Sequence, residues 1–159
     1  MDPFSITVGI LGILGAGSKV AQGLKKVLAL RNAPNALLAL NNEISEVHYV
    51  VQDVQTVLEQ YPQSDMKVPV SLTSALERMN RTTLSLESVV AYDLTTVASH
   101  EATTVRVDKS RWLRAEAKIQ ALQAQMREDR TALLMGLNIL ASYALPIVPF
   151  ELPFSWHIS

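Results

Sequence analysis

None of the 159 residues is cysteine. This excludes disulfides, thiol catalysis and most structural zinc sites, and is compatible with a reducing compartment. Histidine is scarce, with His48, His100 and His157 on separate stretches. His48 and Asp53 are five positions apart and diverge on a helix, so they do not make a metal pair. Charged residues are only 18% of the chain and sum to −1. No global field therefore draws in nucleic acid. Glycine is rare and unevenly spread. Five of the six glycines (Gly9, Gly12, Gly15, Gly17 and Gly23) fall in one segment, and no charge lies between Asp2 and Lys19.

Enzymatic constellations are missing as well. The stretch "GILGAG" superficially suggests a phosphate loop, but Ser18 precedes Lys19, the reverse of the Walker order, and no strand launches it. A dinucleotide fingerprint fails for the same lack of a strand. A di-iron bundle needs inward Glu-x-x-His pairs, and position 45, three before His48, is serine. No serine is singled out as a nucleophile. The carboxylates Glu43/Glu46 and Glu128/Asp129 read as solvated helix faces. No enzyme activity, cofactor or metal is expected.

What is present is apolar periodicity: 48% of the chain is hydrophobic. A first helix is predicted from about Ser5 to Leu30, with Ile6, Ile10, Ile13, Leu14, Val20, Leu24, Val27 and Leu28 on one face. A second follows Asn32 and Pro34, which suit a cap and first turn. Its Leu37, Leu40, Ile44, Val47, Val51, Val54 and Leu58 recur every three or four residues until Pro62 ends it. A third runs from about Ser71 to His100 with Leu72, Leu76, Met79, Thr83, Leu86, Val90, Leu94 and Val97. The last, from about Asp108 or Ser110 to Tyr143, carries Trp112, Ala115, Ile119, Leu122, Met126, Leu133, Leu137 and Leu140. Pro146, Pro149 and Pro153 then stop helix formation.

The expected fold is all-α: an elongated antiparallel four-helix bundle over 1–145, followed by an apolar, Pro-rich C-terminal tail over 146–159. Phe150, Phe154 and Trp156 are expected to lie against the bundle, because free aromatics invite aggregation. The basic cluster from Arg106 to Lys118 contains Trp112, but that tryptophan sits on the apolar stripe and reads as a core anchor. Nucleic acid is therefore not an expected partner.

The glycine-studded opening admits four readings. A secretory leader would carry positive charge ahead of its apolar core, where here only Asp2 stands. A permanent membrane span needs roughly 20 apolar residues, more than the uncharged run supplies. Two readings remain: an ordinary core helix kept permanently in the bundle, where glycines simply permit tight packing, and a bundle helix that is cheap to unpack and enters a membrane, since each interior glycine costs about 1 kcal/mol relative to alanine. Gly12 with Ala16 and Gly17 with Ala21 are small-xxx-small pairs of the kind that let helices approach closely in lipid. Lys19, Lys25 and Lys26 follow the apolar run and would favour an anionic leaflet.

The opening "MDPFSITVGILGILGAGSKVAQGLKKVLALRNAPNALLALNNEISEV", with its Asn42-Glu43 pair, resembles the N-terminal helical domain of fungal STAND proteins, the NOD-like receptors of fungi. The later stretch "SRWLRAEAKIQALQAQMREDRTALLMGLNIL" is similar to a later helix of that family, with Trp112, Ile119, Leu122, Arg130 and Leu133 at matching positions. The resemblance spans about residues 1–141 and places the chain near the HeLo and HeLo-like cell-death domains. It implies an all-helical effector that self-associates, exposes its first helix and permeabilises membranes in regulated cell death. The implied partners are anionic membrane lipids, further copies of the chain and a partner domain of a receptor. The implied location is cytoplasmic, moving to the plasma membrane on activation.

Carried onto this sequence, the insertion residues are Phe4, Ile6, Val8, Ile10, Leu11, Ile13 and Leu14. Gly9, Gly12, Gly15 and Gly17 would supply close approach, and Lys19, Lys25 and Lys26 would meet lipid head groups. A fungal receptor would continue into a nucleotide-binding domain, and this sequence does not contain one. A non-lytic signalling bundle that binds a partner domain is the alternative reading.

Overall fold

A computed structural model describes residues 3–29, 35–60, 68–94 and 109–144. Every described residue except Ala29, Val68 and Pro69 is helical, and no strand occurs among them. The helices are α1 (Pro3–Leu28), α2 (Asn35–Gln60), α3 (Val70–Val89) and α4 (Lys109–Ala144). A π-helical turn, Val90–Leu94, continues α3. The fold class is the one the periodicity predicts. Residues 95–100, expected to complete the third helix, lie outside the described residues, as do Asn32, Pro34 and the whole Pro-rich tail with Phe150, Phe154 and Trp156.

Each apolar stripe turns inward. Leu37, Leu40, Ile44, Val47, Val51 and Val54 of α2 are all buried. They share one core with Leu72, Leu76, Met79 and Leu86 of α3 and Ile119, Met126, Leu133 and Leu140 of α4. Trp112 is buried there too, as a core anchor should be. At 1.5 Å per residue, α4 is about 54 Å long and α1 and α2 about 39 Å each.

The backbone of α1 lies beside α2 and α3, and that of α4 also lies beside α2 and α3. The α1/α4 and α2/α3 pairings are therefore the diagonals of a square. Two sets of close approaches fix relative directions. Gly12 faces Asn80, Gly17 faces Thr83 and Gly23 faces Val90, so α1 and α3 run the same way. Leu72 faces Gly136 and Arg78 meets Asp129, so α3 and α4 run in opposite directions. The start of α1, the start of α3 and the end of α4 consequently share one end of the bundle.

The solvated-face expectation fails at two carboxylates; the Glu43 side chain is only 14% exposed. Asp129 is not on a solvated face: it is 1% exposed. Its Oδ1 accepts hydrogen bonds from Arg78 Nε at 2.8 Å and Gln125 Nε2 at 3.3 Å, and its Oδ2 accepts one from Thr82 Oγ1 at 3.4 Å. The three donors compensate the desolvation of a carboxylate that would otherwise be expensive to bury. The next residue, Arg130, reaches the other flank and forms ion pairs with Glu43 and Glu46 of α2. Adjacent positions of α4 thus clip α3 and α2 in turn.

Candidate functional site

The candidate site is α1, and its front half divides into two faces. Ile6, Ile10 and Ile13 are buried in the common core. Leu14 is partly buried against that core. Val8 and Leu11 point outward and are 53% and 58% exposed. The backbone of Phe4 is helical, but its side chain lies outside the described residues. The apolar residues expected to act together in a membrane thus serve opposite sides of one helix in the resting bundle.

The glycines also divide. A Cβ placed on Gly12 would lie 2.8 Å from Asn80 Oδ1, and one on Gly17 would touch Ile44 Cγ2 at 3.8 Å and Thr83 Cγ2 at 4.0 Å. Gly17 sits where Ile13, Ile44, Val47, His48, Thr83 and Met126 converge from all four helices. Around Gly9 and Gly15, by contrast, nothing among the described residues lies within 4 Å of an added Cβ. These two glycines weaken the helix without letting any neighbour come closer.

Magnitudes show how lightly the front half is held. Burying three isoleucines gives roughly 5–9 kcal/mol in all. Four interior glycines give back about 3–4 kcal/mol of helix propensity. No ion pair fastens this half among the described residues; the first on α1 is Lys19 Nζ to Glu87 Oε1, at 2.9 Å. Lys19, Lys25 and Lys26 are all exposed. They sit on the rear half, whose Val20, Leu24 and Val27 are buried.

Two closely approached glycines outside the predicted set were missed. A Cβ on Gly23 would meet Val90 Cγ1 at 2.5 Å, where the π-helical turn begins. One on Gly136 would meet Leu72 Cβ at 2.9 Å and its Cα at 3.1 Å. Gly136 stands alone among polar and apolar neighbours, and its only sequence signal is its place three residues after Leu133 and four before Leu140, on the buried stripe.

By length and composition, α1 is the one helix among the described residues long and apolar enough to cross a membrane: the stretch Ile6–Leu28, 23 residues, with 33% of its apolar 18-residue window buried. No three His, Asp or Glu side chains among the described residues come together as a metal site. Comparison with known proteins adds no assignment: no family model, curated protein or solved structure matches the chain.

Proposed function

We propose that this protein is a membrane-active effector of regulated cell death, whose first helix leaves a soluble bundle, self-associates and permeabilises an anionic membrane. The observation that carries this reading is the asymmetry of α1. It is apolar enough to span, exposes Val8 and Leu11, and holds two glycines that support no contact among the described residues. A permanent core helix gains nothing from Gly9 and Gly15; a helix that must unpack gains a lower cost of release. Lys19, Lys25 and Lys26 would then stay with the head groups of the anionic cytoplasmic leaflet, each worth about 1 kcal/mol. The likeness of the opening and α4 sequences to fungal HeLo-like domains supports the same reading. In it, successive helices alternate in direction, and the segment from 146 is an extended tail.

The alternative, a non-lytic bundle binding a receptor partner domain, is favoured by the apolar residues Leu134, Met135 and Ile139 exposed on α4. Dye release from anionic vesicles separates the two, using the full chain with Val8→Glu and Leu11→Glu. Both positions face water, so the bundle should keep its melting temperature. A carboxylate costs about 2.5–3.5 kcal/mol at a bilayer centre, so release should be lost. Release unchanged by the double substitution would remove the membrane reading.

A further inference from the structure

The two halves of α1 are fastened by different means. In the rear half, Gly23 lets the helix settle against Val90, and Lys19 pairs with Glu87 across to α3. In the front half the close approach is at Gly12, and what it meets is the carbonyl oxygen of Asn80. That oxygen is buried from water and has no hydrogen-bond partner among the described residues. An amide oxygen desolvated without a donor loses its bonds to water and receives none in return. The penalty exists only while α1 covers it.

We infer that Asn80 is a built-in release element: its unpaired carbonyl makes residues 6–16 of α1 open first, while Lys19–Leu28 stays seated. Lifting the front half returns the Asn80 oxygen to water. Nothing comparable is recovered when the rear half lifts. Gly15 and Gly17 form the flexible boundary between the two, and Gly9 and Gly15 leave the opened segment with little helix stability of its own. Opening is then local rather than global, the behaviour expected of the least stable cooperative unit in a fold. The idea deepens the membrane reading, but it is read out in solution without lipid, so the two fail separately.

The test is hydrogen exchange of the full chain, resolved over α1. Asn80→Ala removes the unpaired oxygen and should slow exchange of residues 6–16 by about tenfold, with residues 19–28 unchanged. Asn80→Asp places a charge at the same buried spot and should speed exchange of the front half by at least that factor. Faster exchange in Asn80→Ala would mean that the amide fastens α1, and would overturn the inference. So would no change in either variant.

A second arm uses the absence of native cysteine. An ideal Cβ on Gly23 lies 3.9 Å from Val90 Cβ, within the range for a disulfide. In oxidised Gly23→Cys/Val90→Cys, the front half should exchange as fast as in the reduced form. Front-half exchange that falls to the rate of the rear half on oxidation would show that α1 moves as one rod, and would overturn two-part opening.

Discussion

The middle of α4 and the front of α1 are both buried against two neighbours, yet they are secured in opposite ways. At α4, consecutive residues of opposite charge reach sideways, Asp129 to Arg78 and Thr82, and Arg130 to Glu43 and Glu46. At α1, three isoleucines are the main attachment, the glycines loosen the helix, and the Asn80 oxygen that Gly12 meets has no partner among the described residues. Hydrophobic contact is non-directional and can be transferred to lipid. A hydrogen-bonded charge pair cannot be moved without leaving a buried charge behind. The bundle therefore has a fixed part, α2–α4–α3, and a helix laid into the groove between α2 and α3.

Substitutions sharpen that contrast, beginning with the largest effect. Asp129→Ala should cost about 3 kcal/mol in urea unfolding, because three donors lose their acceptor at once. A loss below about 1 kcal/mol would mean that α4 is held by apolar contact alone, as α1 is. Gly136→Ala should cost about 1–3 kcal/mol, since its methyl would press on the backbone of Leu72 and force α3 and α4 apart. Gly15→Ala should act with the opposite sign, raising stability by up to about 1 kcal/mol and slowing front-half exchange, because its methyl meets open space. Glu87→Gln should change stability by less than about 0.5 kcal/mol. Its partner Lys19 is 67% exposed, and such pairs are weak.

The apolar stripes of all four helices were legible because their spacing of three and four is a local signal. The described helix α2, Asn35–Gln60, lies within the bounds read from Asn32 and Pro62, which are themselves outside the described residues. Asp129 was readable in principle: it stands three residues after Met126 and four before Leu133, on the buried stripe. A charge-rich surrounding of Arg127, Glu128 and Arg130 hid it. The pairing of Gly12 with Asn80, Gly23 with Val90 and Gly136 with Leu72 was not legible, because each depends on the register between two helices, which no single stripe encodes. The square in which α2 and α3 are diagonal partners is tertiary information of the same kind. Gly9 and Gly15 looked no different in sequence from Gly12 and Gly17. Only the neighbours distinguish glycines that admit close approach from those that merely soften the helix.

The most direct measurement is dye release from anionic vesicles by Gly23→Cys/Val90→Cys, compared oxidised and reduced. The first helix cannot leave the bundle while its rear is bonded to α3. The account predicts release by the reduced protein, none by the oxidised protein, and recovery on adding reductant. Equal release in both states would contradict it, because the membrane activity would then not require the rear of α1 to leave α3.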